Sequence, residues 1–143
     1  MGADAGLGEL DQILGLHIRR VHSAVQRHFA EHFPDLGLTQ KQISVLWLVG
    51  ANPGVAQVDL GRILDMDRAT TMALVHGLEK RGLLARAPSD TDGRRIAFRL
   101  TAAGEDLLAS AKAAVAEHEA WLKGRFSATE LRTLRTLLAR IYR

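Results

Sequence analysis

Residues 57–81 constrain the fold most, because they predict two helices joined by a very short turn. Apolar residues at three- and four-residue steps predict a short helix over residues 57–64 and a longer one from 67 to about 81. Asp65-Met66-Asp67 supplies the turn, and Asp67 is a suitable N-cap for the longer helix. This spacing is typical of a helix-turn-helix, although many other helical pairs share it.

The residues that follow make this interpretation more specific. Gly82 is the kind of residue that ends a helix, and two strands are predicted at about residues 83–87 and 95–100. Alternate residues of the second strand are expected to face opposite sides, with Ile96, Phe98 and Leu100 on one side and Arg95, Ala97 and Arg99 on the other. A helix-turn-helix followed by a two-stranded hairpin, called the wing, predicts a winged helix.

Further helices are predicted before and after this region. An apolar stripe predicts one continuous amphipathic helix of about five turns over residues 9–30. Three helix starts are predicted where a Ser or Thr can cap the following turn: Thr39 with Gln42, Thr101, and Ser127 with Glu130. The fold class is therefore mainly α, of the α+β type, and one domain is expected over residues 1–143.

Composition excludes several classes of function. The sequence has no cysteine, which removes disulfides, thiol catalysis and thiolate zinc sites. It has no phosphate-binding glycine loop, no His-Glu-x-x-His and no recognisable catalytic triad, so neither an enzyme activity nor a cofactor is expected. No apolar run approaches the roughly 20 residues that cross a bilayer, and no signal-peptide pattern is present. A cytoplasmic protein without a membrane partner is expected.

Basic residues are concentrated where the winged helix is predicted. The net charge is +3, and residues 62–99 hold 8 Lys or Arg against 5 Asp or Glu. A local basic surface is what a phosphate-bearing partner requires, and a solvated surface with surplus arginine explains the counts equally well.

Three stretches carry a family resemblance: "GLTQKQISVLWLV", "LEKRGLLARAPSDTDGRR" and "LTAAGEDLL". Together with the order of the predicted elements over about residues 9–142, they resemble the MarR family of bacterial transcription regulators. The resemblance implies a sequence-specific, dimeric winged-helix protein that binds double-stranded DNA, often a repressor released by a small ligand. The winged-helix lobe is then expected over about residues 39–100, and the helices at about 8–32 and 101–143 are expected to form a dimerisation module.

The longer helix of the helix-turn-helix is the expected recognition helix. Its buried stripe is predicted to consist of Thr71, Leu74, Val75 and Leu78. The opposite face should enter the major groove with Arg68, Ala69, Met72, Ala73 and His76. Arg68 can reach a guanine edge or a phosphate, and Thr70 can donate to a phosphate. The three apolar side chains can only touch thymine methyl groups, so readout of DNA shape is expected to matter.

The wing explains two adjacent arginines after a tight turn. Arg94 and Arg95 gain nothing from each other at a hairpin tip, whereas a narrow minor groove attracts such charges. The family's Asp-x-Arg pattern implies that Arg94 enters the groove and that Asp92 orients it. Arg95 and Arg86 are expected to reach phosphates. The alternative is a wing tip that only turns the chain.

A homodimer is expected to read an inverted repeat with half-sites about one helical turn apart. The predicted interface positions are apolar residues of the C-terminal helices: Leu107, Leu108, Ala111, Val115, Leu122, Leu134, Leu138 and Ile141. The alternative is that these stripes complete a monomer core. For a small-molecule effector, an aromatic acid or acyl thioester, the resemblance implies a pocket beside the dimer helices, with His17, Arg20 and Trp47 as candidate residues.

Two rival functions and one site type stay open. The apolar groove face allows a sequence-tolerant architectural DNA binder, and winged helices also serve as protein–protein modules, against which Arg68 and Arg94 argue. His28 and His32 are four residues apart on one helix face, a spacing that can hold zinc, but the further ligands are not evident and no metal is expected.

Overall fold

The computed structural model describes residues 5–88 and 95–143 and divides into two compact units. The winged-helix unit comprises Asp35–Ala114, and the helical unit comprises the chain up to Pro34 together with Val115–Arg143. In chain order the described residues form a 3-10 helix at Gly8–Gln12, α1 at Leu14–His32, α2 at Gln40–Ala51, β1 at Val55–Ala56, α3 at Gln57–Ile63, α4 at Arg68–Lys80, β2 at Leu84–Ala87, β3 at Ala97–Leu100, α5 at Ala102–Lys123 and α6 at Ala128–Tyr142. The mainly α fold class with a winged helix is confirmed.

The winged-helix unit is built on a small antiparallel sheet in the order β1-β3-β2. Phe98 of β3 faces Val55 on one side and Arg86 on the other. Its side chain is buried with apolar residues of α2, α3 and α4, among them Leu46, Leu60 and Leu78. This core fixes the helix-turn-helix against the sheet, so that α4 and the wing are held by the same set of buried contacts.

Local caps determine where the helices begin. Both predicted capping boxes are present: Thr39 with Gln42 at α2 and Ser127 with Glu130 at α6. The hydroxyl of Thr101 accepts the Gly104 amide at 3.0 Å, which caps α5 as predicted.

Three local predictions were wrong. The N-terminal segment is not one continuous helix, because Ile13 has an extended conformation (φ −89°, ψ 106°) between the 3-10 helix and α1. The sheet has a third strand, β1, which the two-stranded prediction missed. β3 begins at Ala97 instead of residue 95, and Ile96 before it is 44% exposed although it was expected to pack with Phe98.

The helical unit has few enclosed side chains of its own. Neither α1 nor α6 contains a buried residue in this single chain. Leu108 and Ala111 of α5, predicted as interface residues, are instead buried within the winged-helix unit. Of the predicted interface residues on α6, Leu138 and Ile141 are exposed.

Candidate nucleic-acid interface

The start of α4 is organised by Asp67. Its carboxylate accepts the backbone amide of Thr70 at 2.7 Å and the Thr70 hydroxyl at 3.0 Å. These two hydrogen bonds lower the pKa of Asp67 below its usual value, so the cap is a carboxylate at neutral pH. The hydroxyl of Thr70, predicted to meet a phosphate, is used inside the protein in this structure.

The turn before α4 is tight enough to require particular residues. Asp65 adopts a left-handed conformation with φ 52°, which Asp tolerates better than most residues. A Cβ on Gly61 of α3 would lie 2.8 Å from the Thr71 hydroxyl, so only glycine lets the two helices approach this closely. This contact sets the spacing between α3 and α4.

One face of α4 is buried and the opposite face is open, as the periodicity predicts. Thr71, Val75 and Leu78 are buried, and Leu74 is half-buried. The residues assigned to the groove are exposed: Arg68, Ala69, Met72, Ala73 and His76. Arg68 is exposed and lines a cavity, and it makes no hydrogen bond or ion pair with another described residue. The exposed face is therefore mainly apolar between two polar ends.

A second cation next to α4 belongs to the wing. Arg86 of β2 donates from Nε to Glu79 Oε2 at 3.0 Å, and His76 Nδ1 lies 3.6 Å from Glu79 Oε1. Glu79 of α4 therefore links the groove face of the helix to the wing strand. Sequence reasoning did not single out Glu79, because its partner Arg86 comes from another element.

The other side of the helix-turn-helix carries a comparable ion pair. Arg95 Nη2 lies 3.2 Å from Asp59 Oδ1, and Arg62 Nη2 lies 3.7 Å from the same oxygen. A cavity of about 440 Å³ opens here between α3, the start of α4 and residue 96, and Arg62, Arg68 and Arg95 all line it. The guanidiniums of Arg62, Arg68 and Arg95, partly balanced by Asp59, line one concave surface that can receive a phosphate.

Two residues predicted for the wing, Asp92 and Arg94, lie outside the described residues. Asp92 and Arg94 fall within 89–94, so their assigned roles rest on the sequence pattern. The described part of the wing ends at Pro88 on one strand and resumes at Arg95 on the other.

The predicted ligand residues are distributed over both units. His17 and Arg20 lie on α1 in the helical unit, where His17 Nε2 contacts the Asp11 carbonyl oxygen at 2.6 Å. Trp47 lies on α2 in the winged-helix unit and is 37% exposed, with Lys112 Nζ 5.2 Å from its ring centroid. Lys112 also lines a cavity of about 430 Å³ with Arg99, Leu100 and Leu108.

The histidine pair belongs to an aromatic cluster in the helical unit. His28 stacks on His32 with ring centroids 4.1 Å apart and on Trp121 at 3.8 Å. The Nδ1 atoms of His28 and His118 are 2.9 Å apart, a hydrogen bond in which one ring must accept and therefore be neutral there. Sequence spacing did not indicate that His118 of α5 joins this cluster, because it is 90 residues from His28.

This geometry favours ring packing over metal binding. His32 Nδ1 lies 3.1 Å from the His28 carbonyl oxygen, so that nitrogen already has a partner. Within residues 5–88 and 95–143, no three His, Asp or Glu side chains are arranged to hold a metal ion. In the same ranges no helix is both long and apolar enough to cross a membrane.

Comparison with known proteins places these features among transcription regulators. A sequence model of the MarR family matches residues 36–95. A protein of Thauera aromatica, assigned as the transcriptional regulatory protein for the hcr operon, is 35% identical over 137 residues, covering 95% of this chain and 82% of that protein.

Solved structures agree with the sequence comparison. The transcriptional repressor CouR, solved bound to a 23-mer DNA duplex, has a TM-score of 0.89 to this chain. The two are 34% identical, and the match covers 99% of this chain and 100% of CouR. The PcaV transcriptional regulator from Streptomyces coelicolor, in complex with its natural ligand, has a TM-score of 0.81 and 27% identity over 99% of this chain and 96% of PcaV. CouR has also been solved bound to p-coumaroyl-CoA.

Proposed function

Because this chain belongs to the MarR family of transcriptional regulators, we propose that it acts as a homodimeric repressor that binds an inverted-repeat operator and is released by a small ligand. The observation that carries the proposal is the exposed face of α4, flanked by Arg68 at its start and by Arg86 and Arg95 beside it. Relatives that are transcription regulators, not enzymes, and a similar repressor solved on DNA support it.

We assign three kinds of contact to this surface. Arg68 reads a base edge or the phosphate beside it, and Arg86 and Arg95 bind phosphates. Ala69, Met72 and Ala73 contact thymine methyl groups, while His76 is the remaining polar side chain of the groove face. Thr70 stays a secondary phosphate contact, for which its hydroxyl must turn from Asp67 and donate to the phosphate. Asp92 and Arg94 keep the minor-groove roles that the family pattern implies.

The dimer is the second part of the proposal. α1 and α6 carry exposed apolar side chains, including Leu14 and Ile18 on α1 and Ile141 and Tyr142 on α6. Exposed apolar residues repeated along two helices are expected at an interface between copies. A two-fold dimer presents two α4 helices, which matches an inverted repeat. On this division the winged-helix lobe binds DNA and the outer helices join the copies.

The third part is release by a ligand. The similar structures solved with p-coumaroyl-CoA and with a natural ligand support an effector of the aromatic acid or acyl thioester class. His17, Arg20 and Trp47 stay our candidate residues for it. Ligand binding would lower operator affinity only if the ligand binds the DNA-free conformation more tightly.

The test begins with the wild-type protein and its own genome. Genomic fragments retained by the immobilised protein should share an inverted repeat, bound at least about a thousandfold more tightly than random duplex. Arg68→Ala should weaken the operator by about 1–3 kcal/mol and relax one position of each half-site, whereas Arg95→Ala should weaken all duplexes alike and reduce the salt slope by about one. Equal affinity for every duplex would refute the proposal.

The apolar groove face favours one second candidate, a sequence-tolerant architectural DNA binder. Ala69, Met72 and Ala73 offer no hydrogen bond to a base edge, so shape and phosphates would carry the binding. The same retention experiment distinguishes the two, because an architectural protein recovers fragments without a shared repeat. A panel of aromatic acids and their CoA thioesters, measured by thermal shift and then by operator release, tests the ligand step.

A further inference from the structure

Glu79 lies between the side chains of Arg86 and His76. Its Oε2 accepts the Nε hydrogen of Arg86 at 3.0 Å, and its Oε1 lies 3.6 Å from His76 Nδ1. The side chain of Glu79 is 27% exposed, against 55% for Arg86 and 59% for His76. The carboxylate therefore lies beneath two more exposed groups, one on the recognition helix and one on the wing.

The contact with Glu79 uses only the Nε hydrogen of Arg86, which determines how the guanidinium could bind a phosphate. Glu79 is bonded at Nε, and no other described residue accepts a hydrogen bond from the two Nη groups, which form another edge of the guanidinium. Two parallel Nη hydrogens are the arrangement that a phosphate accepts. Glu79 thus restrains the side chain without occupying its phosphate-binding edge.

The negative charge of Glu79 also weakens the attraction of this surface for DNA of any sequence. Sequence-independent binding grows with the number of phosphates that a protein neutralises. A carboxylate 3.0 Å from Arg86 cancels much of its charge at longer range. Random duplex, which approaches in many orientations, then gains little from Arg86, whereas a duplex in the operator orientation meets the restrained Nη edge.

We propose that Glu79 is a specificity-determining residue, which restrains Arg86 and His76 and suppresses binding to random DNA. The inference rests on the proposed function, because it requires that this face meets a duplex. Glu79 is a positioning residue and does not itself contact DNA.

The experiment compares four proteins on two duplexes: wild type, Glu79→Gln, Glu79→Asp and Glu117→Gln. Glu117 is an exposed glutamate on α5 in the helical unit, so its variant makes the same charge change elsewhere. The duplexes are the operator recovered from the genome and a scrambled duplex of equal length and composition. Fluorescence anisotropy at several salt concentrations gives the affinity and the salt slope for each pair.

Glu79→Gln should bind the scrambled duplex about three- to tenfold more tightly, with a salt slope steeper by about one. Its preference for the operator should fall by a similar factor. Glu79→Asp keeps the charge and should retain the wild-type salt slope, and Glu117→Gln should match the wild type on both duplexes.

Two results would overturn the inference. Glu79→Gln could behave like Glu117→Gln, or it could weaken both duplexes equally with a lower Tm, as a purely structural residue would. Failure of the proposed function has a different signature, because the wild type itself would then show no preference for the operator. The comparison on the scrambled duplex still reports on the charge of Glu79 in that case.

Discussion

The pKa of His28 is lowered by its surroundings in the folded protein. Desolvation lowers its pKa first, and the nearby His32 and His118 lower it further. Arg125 acts in the same direction and Glu31 in the opposite one. The folded protein therefore prefers a neutral His28, and a neutral ring can either donate or accept in the hydrogen bond with His118.

A pH dependence of stability follows from that lowered pKa. Because the unfolded chain binds this proton more readily than the folded one, the stabilisation is complete above the unfolded pKa and is lost as the pH falls through the folded pKa. The Tm should thus be lower at about pH 5 than at about pH 7.5. Scanning calorimetry should show a smaller pH difference for His28→Gln than for the wild type.

His22→Gln is the matched control, because His22 is an exposed histidine of the same helix. It should retain the wild-type pH difference. If His28→Gln and His22→Gln behave alike, His28 does not determine the pH response.

At the residue scale, the burial or exposure of single side chains was predicted correctly where it follows from the period of the helix. Arg68 and Met72 are exposed and Val75 is buried because α4 has a regular period and one packed side. Glu79 and His118 were missed, since their partners Arg86 and His28 are on other elements and spacing carries no information about them.

At the scale of elements, the start of α5 lies very close to the chain before β2. A Cβ on Gly104 would lie 2.1 Å from the carbonyl oxygen of Leu83, and that oxygen accepts the Thr101 amide at 3.1 Å. Any side chain at position 104 must therefore push α5 away from the sheet.

Gly104→Ala should destabilise the protein by roughly 1–3 kcal/mol, because the displaced helix loses contacts that Leu108 makes in the core. Gly77→Ala is the control within α4, where the added Cβ meets only Gln42 Nε2 at 3.9 Å. That variant should be stabilised by up to about 1 kcal/mol, since alanine favours a helix interior. Urea unfolding measures both, and an unchanged midpoint for Gly104→Ala would contradict the close approach.

Elements with local signals were predicted and elements without them were not. The capping boxes at Thr39 and Ser127 depend on residues three apart, so the sequence alone identifies them. β1 has two residues and exists only because β3 pairs with it. The exposure of Ile96 likewise reflects where the β3 ladder begins, which strand alternation cannot indicate.

At the scale of the whole molecule, oligomerisation is the property that the apolar helix faces predict. On α6, Leu138 and Ile141 are exposed in the single chain. Leu138→Glu combined with Ile141→Glu should shift the protein from dimer to monomer in sedimentation equilibrium. Operator affinity should fall by at least about tenfold, because the two half-sites are then bound independently.

Thr133→Glu, an exposed position on the same helix, adds a like charge and should leave the dimer intact. Circular dichroism should show that all variants keep their helices, since none of these side chains is buried. A wild-type monomer, or a double variant that still dimerises, would contradict this assignment of the interface.

The two tryptophans divide between the two units, one in each. Trp47 reports on the winged-helix unit from beneath Lys112, and Trp121 reports on the helical unit from its stack against His28. Replacing either one by phenylalanine leaves a single tryptophan, which can be excited selectively over Tyr142, so the melting of each half of the chain can be followed optically without a dye. The emission of Trp121 should also report on the protonation of the imidazole stacked against it.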